Sequence, residues 1–130
     1  MIHEELSQRV IGAFFDVYNE LGHGFLEKVY ENAMMIELLH SGLSAEQRRR
    51  INVYYRGELV GEYYADILAD NTIIVELKAA ESIAPEHEAQ LLNYLKGTEM
   101  ELGLLFNFGP KPGFIRRILT NDRKSIRVNP

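Results

Sequence analysis

Asp66, Glu76 and Lys78 are the residues of this 130-residue chain whose types and spacing could do chemistry. Ile73, Ile74 and Val75 read as a strand bound for a protein interior, yet Glu76 and Lys78 follow at once, separated only by Leu77. Asp66 lies upstream in another apolar segment, "YYADILAD". Strand side chains alternate, so Glu76 and Lys78 share one face while Ile73, Val75 and Leu77 share the other. Asp66 joins the Glu76 face only if the intervening loop holds an odd number of residues. With Asp70, Asn71 and Thr72 as that loop, Asp66 stands opposite Glu76 and Tyr64 opposite Lys78.

Two carboxylates facing each other inside a sheet repel, and keeping both ionised is costly unless positive charge lies between them. Lys78 supplies one charge. A divalent cation would supply the rest, taking oxygen ligands at roughly 2.0–2.1 Å from the two acids, a backbone carbonyl such as that of Leu77, and water. A lysine one pleat along could orient or deprotonate an attacking water or steady charge on phosphorus, which is metal-assisted hydrolysis. The competing reading is an ion pair on a partly exposed strand, worth only ~0.2–1 kcal/mol.

The elements that must hold these residues follow from periodicity. Leu6, Val10, Phe14, Val17 and Leu21 recur at helical spacing and predict a first helix over residues 3–21, stopped by Gly22 and Gly24. A second helix is expected from about Phe25, with Leu26, Val29, Tyr30, Ala33 and Ile36 as its apolar side and Gly42 as its C-terminal cap. From about residue 45 the chain turns β-branched and aromatic. Turns at Arg56-Gly57 and Asp70-Asn71 divide three strands into an antiparallel meander. Pro85 opens a third helix ending at Gly97, with Glu86 and Glu88 suited to its positive end. "LGLLFNF" is then a buried strand and "FIRRIL" a last one. The order α-α-β-β-β-α-β-β predicts an α/β fold, a mixed sheet of about five strands flanked by helices. Residues 1–130 are expected to form a single domain.

Composition narrows the chemistry further. There is no cysteine, which removes disulfides, thiolate nucleophiles and cysteine-bound metals. The four histidines lack paired-ligand spacing, so a metal here should be a hard cation on carboxylates. No apolar run is long enough to span a bilayer, and the acidic, amphipathic start lacks the layout of an export signal. The net charge is −5, but six bases against two acids from Glu101 onward leave +4 there and −9 on the first hundred residues. That asymmetry allows a basic, phosphate-facing surface near the C-terminal end, or simply solvated strands. Arg48-Arg49-Arg50 could meet phosphates, although alternate strand positions cannot all face one way.

A strand aspartate, a hairpin, an apolar strand ending in E-x-K, and a helix with Gln90 and Tyr94 four apart together resemble the PD-(D/E)xK nuclease superfamily. Its restriction-endonuclease-like core, α-β-β-β-α-β, matches the order above after one additional N-terminal helix. More narrowly, Gly24-x-x-Glu27-x-x-Tyr30 in "GHGFLEKVYE", with "HEAQLLNYLKG" and "LGLLFNFG", looks like the GxxExxY group of small prokaryotic proteins. The likeness spans about residues 5–119. The superfamily's proline is replaced by Ala65 before Asp66.

The resemblance implies Asp66 and Glu76 as metal-binding acids and Lys78 as the catalytic lysine, with Glu27 completing the metal site directly or through water. It implies supporting or substrate-binding roles for Gln90, Tyr94 and Tyr30. Glu27 equally suits plain charge complementation of a helix start, and Tyr94 plain core packing. The implied activity is Mg2+- or Mn2+-dependent hydrolysis of phosphodiester bonds in DNA or RNA, with DNA ahead of RNA, in a prokaryotic cytoplasm and with no membrane partner. The alternative is a catalytically silent nuclease-fold module that binds nucleic acid or a protein partner in a repair or defence complex. A homodimer or larger assembly is compatible with either.

Overall fold

The computed structural model describes residues 2–124. Two helices, α1 (Glu4–Leu21) and α2 (Glu27–His40), precede strands β1 (Ala45–Tyr55), β2 (Glu58–Ala69) and β3 (Ile73–Lys78). Helix α3 (Pro85–Lys96), strands β4 (Leu102–Phe108) and β5 (Pro112–Ile118), and a short 3-10 turn (Asn121–Arg123) complete the chain as described. The five strands lie in the order β1-β2-β3-β4-β5. Among the described residues only β3 and β4 run parallel, because α3 carries the chain back across the sheet between them. The mixed sheet and element order expected from periodicity are what the chain forms.

Each face of the sheet is covered, which is why β3 and β4 are apolar almost throughout. Against one face, α1 and α2 set Phe14, Tyr30, Met34 and Leu38 on Ile73, Val75, Leu77 and Phe106. Phe14 stacks on Phe106 with centroids 4.5 Å apart, and Tyr30 stacks on Phe108 at 4.1 Å. On the other face, Leu91, Tyr94 and Leu95 of α3 cover Ile51, Leu68, Ile74 and Leu105. Each large apolar side chain buried this way contributes about 1.5–3 kcal/mol.

Helix α2 departs from expectation. It starts at Glu27, and its buried residues are Tyr30, Glu31, Met34 and Leu38. Leu26, Val29 and Ile36, predicted to pack inward, face solvent, Leu26 being 80% exposed. Apolar and polar residues are spread around the helix without a clear stripe, so spacing alone could not select its inner face. The C-terminal bases also behave differently from a free basic surface. Arg117 pairs with Glu88 of α3, and Arg116 donates 2.7 Å to the Ile2 carbonyl. Lys124 donates to the carbonyls of Thr98 and Met100 at 2.7 and 2.8 Å. These cations fasten β5 and the last turn to their neighbours. Lys111 and Arg123 remain exposed, and Arg127 lies outside the described residues.

Strand β1 has two irregularities. Arg48 adopts φ 59, a left-handed conformation that costs a non-glycine residue strain, and the β1–β2 ladder skips the Arg48–Asp66 rung. Either side of that rung the hairpin presents opposite faces. Gln47 bonds α2 through Glu31 and Asn32, whereas Ile51 and Ala65 pack under α3. Arg48, Arg49 and Arg50 are all exposed, which alternation allows without their facing one way. A bulge follows between Val53 and Tyr54.

Candidate active site

The β2–β3 ladder pairs Ala69 with Ile73, Leu68 with Ile74 and Ile67 with Val75, then stops. Asp70, Asn71 and Thr72 therefore form a three-residue loop, with Asp70 and Asn71 left-handed at φ 51 and 53. This odd loop aligns Asp66 with Glu76 at the position where the next rung would fall. Their carboxylates replace it. Glu76 Oε2 accepts a hydrogen bond from the Asp66 N–H at 2.8 Å, and Asp66 Oδ2 accepts one from the Leu77 N–H at 2.8 Å. The strands thus part at the acids, and each acid holds the other's backbone. Among the described residues, Asp66 Oδ1 and Glu76 Oε1 have no hydrogen-bond donor.

Confinement has an electrostatic consequence. Glu76 is only 4% exposed, and burial, then the charge of Asp66, pushes its carboxyl up to about 8. Burial also raises Asp66, against the Leu77 N–H and the Lys78 ammonium, which favour its ionised form. Lys78, the last residue of β3, is half-buried and lowers both acids.

The other predicted residues fall at different distances from this pair. Gln90 Nε2 donates 2.9 Å to the Tyr94 hydroxyl. Burial, followed by the charges of Glu76 and Asp66, pushes Tyr94 up to about 12, so this helix face overlooks the acids. Glu27 opens α2 in an exposed position, and its charge is a minor influence on Asp66. Tyr30 stays in the core: its hydroxyl donates 2.6 Å to the Gly22 carbonyl and accepts from the Phe25 N–H at 3.1 Å, fixing the turn into α2. His87 accepts the Ala84 N–H at 3.0 Å through Nδ1 and caps α3.

Two contributors were absent from the sequence reading. Glu31, one turn after Glu27, is 6% exposed and its charge raises both Asp66 and Glu76. Gln47 Nε2 and Lys28 Nζ donate to its Oε2 at 2.5 and 2.8 Å. The signal available was the four-residue spacing, which puts Glu27 and Glu31 on one helix face. Asn107 is 2% exposed and clamps the loop after Lys78. Its Oδ1 accepts the Ala80 N–H at 2.9 Å, and its Nδ2 donates to the Ala80 carbonyl at 3.0 Å. A Cβ on nearby Gly109 would meet that carbonyl oxygen at 2.3 Å, so this approach requires glycine.

Among the described residues no group of three or more acids or histidines is arranged to hold an ion. The convergent set is two acids with an oxygen free on each. That donor set suits a hard cation keeping several of its own waters, and a dication would offset both the burial and the Asp66 charge that raise Glu76.

A mixed sheet with paired acids on splayed strands, a lysine one pleat on and a flanking crossover helix defines a nuclease-type fold. The family model of the PD-(D/E)XK nuclease superfamily matches residues 4–118, and the chain belongs to that superfamily. Among curated proteins nothing matches the chain significantly. A solved structure titled "Crystal structure of SSO0001" is 20% identical, covering 71% of this chain and 54% of that one, with a TM-score of 0.48. The chain thus spans about half the length of that protein.

Proposed function

We propose that this chain is a metal-dependent nuclease of the GxxExxY group, hydrolysing phosphodiester bonds from a single domain. The observation that carries the reading is the reciprocal contact at the end of the β2–β3 ladder, where Asp66 and Glu76 each bond the opposite strand and keep one oxygen free. Mg2+ or Mn2+, held by Asp66, Glu76, the Leu77 carbonyl and waters, would polarise the phosphoryl group and lower the pKa of a bound water. A strand residue's N–H and C=O point the same way, and the Leu77 N–H faces Asp66, which supports its carbonyl as a ligand. Glu31 and Glu27 complete the site from α2 through water. Lys78 orients the attacking water and steadies charge on phosphorus. Gln90 and Tyr94 border the substrate, and Asn107 positions Lys78 by fixing where β3 ends. DNA ahead of RNA, and a prokaryotic cytoplasm, belong to the same proposal.

Purified protein should cleave nucleic acid with Mg2+ or Mn2+ and not with chelator. Lys78→Ala should lower the rate by about 10²–10³-fold while circular dichroism stays unchanged. Activity that survives Lys78→Ala combined with Glu76→Ala would sink the reading. Calorimetric Mn2+ binding that depends on Asp66, without turnover on any substrate, would favour a silent binding module instead.

A further inference from the structure

We propose that Gln47 of β1 is a positioning residue for the metal centre: it holds the Glu31 carboxylate of α2 where a water can bridge it to a cation on Asp66 and Glu76. This deepens the nuclease reading and rests on it. Glu31 is 6% exposed, and a glutamate is almost never buried unless it is paired. Its two partners are unequal. Lys28, one turn earlier, bonds Glu31 Oε2 at 2.8 Å from a side chain that is 61% exposed, so water weakens that ion pair. Gln47 Nε2 donates to the same oxygen at 2.5 Å and to Asn32 Oδ1 at 2.8 Å. Both N–H bonds of the amide are thus spent on α2, which fixes the direction of the carboxylate. Among the described residues Glu31 Oε1 has no hydrogen-bond donor.

The place of Gln47 in the sheet puts this clamp beside the acids. Gln47 pairs with Ile67, the residue after Asp66, on the last rung of the β1–β2 ladder before the break at left-handed Arg48. It therefore stands one rung from Asp66, with its side chain on the α2 side. Glu31 is close enough for its charge to raise both Asp66 and Glu76. Glu27 is exposed and acts on Asp66 less than Glu31 does.

The chemistry of the clamp points the same way. Glu31, Asp66 and Glu76 repel one another, and a neutral amide does nothing to cancel their charge. A cation at position 47 would dock α2 equally well and would neutralise Glu31. The amide instead orients the carboxylate and leaves its charge available to a cation's bound water. Outer partners that orient a metal site through hydrogen bonds have this form, and losing one typically costs about 10–100-fold in metal affinity.

The test is calorimetric titration of the full chain with Mn2+, without nucleic acid. Gln47→Leu and Glu31→Gln should each weaken Mn2+ binding at least about tenfold while circular dichroism stays unchanged. Gln47→Met gives the same readout should leucine disturb the strand. Glu27→Gln should weaken binding less than Glu31→Gln. Because Gln47 acts through Glu31, the double variant should bind no more weakly than Glu31→Gln alone. A residue that merely docked α2 would lower the urea midpoint in chelator and leave Mn2+ affinity unmoved. An affinity within about twofold of wild type for Gln47→Leu, or losses that add in the double variant, overturns the proposal. Binding that depends on Asp66 but not on Gln47 sinks only this inference. Binding with the full dependence, but no cleavage of any nucleic acid, sinks only the nuclease reading. A wild-type chain that binds no Mn2+ sinks both.

Discussion

The two hairpins that share β2 are built from the same antiparallel pairing and differ in where they lie. Between β2 and β3, Ile67, Leu68, Ile73, Ile74 and Val75 are essentially inaccessible to solvent. Between β1 and β2, a two-residue Arg56-Gly57 turn closes a hairpin whose tip exposes Tyr55, Leu59 and Val60. Each hairpin carries charges, and burial decides what those charges mean. Arg50 and Glu62 pair in water, where an ion pair changes little. Asp66 and Glu76 are enclosed side by side, where like charges cost energy that apolar residues at those positions would avoid. A fold keeps such an arrangement for what it does, and Asp66 stands on the strand where the two environments meet.

The largest expected effect tests that contrast through pH. Glu76 rises from the ordinary carboxyl range to about 8 in the folded chain, so the folded state holds a proton that the unfolded state releases near 4.5. Between those values the unfolded state binds fewer protons, and stability falls as pH rises. Without metal, the loss across the window should be on the order of 5 kcal/mol, fully avoided only below the unfolded value. Glu76→Gln should flatten the profile and stabilise the metal-free protein at pH 8. Urea melts from pH 4 to 9 in chelator check this, and a flat wild-type profile would mean the acids are not confined as described. Added Mn2+ should recover stability most at high pH, where it meets least competition from the proton.

Apolar truncation sharpens the comparison next. Ile74→Ala, in the buried hairpin, should cost ~2–5 kcal/mol, as a cavity opens between the sheet and α3. Leu59→Ala, in the exposed one, should stay within about 0.5 kcal/mol. Equal losses in denaturant melts would show that the outer hairpin is covered in solution.

How far the sequence revealed this follows the same division. The spacing of Asp66 and Glu76 was readable because a three-residue loop and strict alternation allow one solution, and the Asp70-Asn71 pair marked the loop. The inner face of α2 was unreadable, since Leu26, Val29 and Ile36 compete with Met34 and Leu38 for the core. Glu31 went unnoticed for that reason: a glutamate amid apolar residues reads as the outer side of a helix. The break in the β1–β2 ladder was unreadable too, because it turns on a left-handed Arg48, a conformation no periodicity announces. The resemblance supplied roles for single residues, and packing supplied which of them meet.

Arg48 allows a smaller test that separates backbone from side chain. Arg48→Val, branched at Cβ, should cost about 1–2 kcal/mol because the left-handed conformation becomes harder to hold. Arg48→Gly keeps that conformation freely and should stay within about 0.5 kcal/mol, since it loses only the contact of the guanidinium with the Tyr64 ring at 5.2 Å. Equal costs for the two variants would mean that the side chain matters and the twist does not.

The smallest expected effect is also the plainest check on the outer hairpin. Arg50 raises its own affinity for a proton, and Glu62 lowers its own, each mainly through their mutual hydrogen bond. Both side chains are well exposed, so water and salt replace the contact at little loss. Removing either partner, or both, should leave the denaturation midpoint unchanged at low and high salt. A coupling that survives high salt would place the pair out of water. The outer face of β1 would then be covered by another surface, and the contrast between the two hairpins would fail at its exposed end.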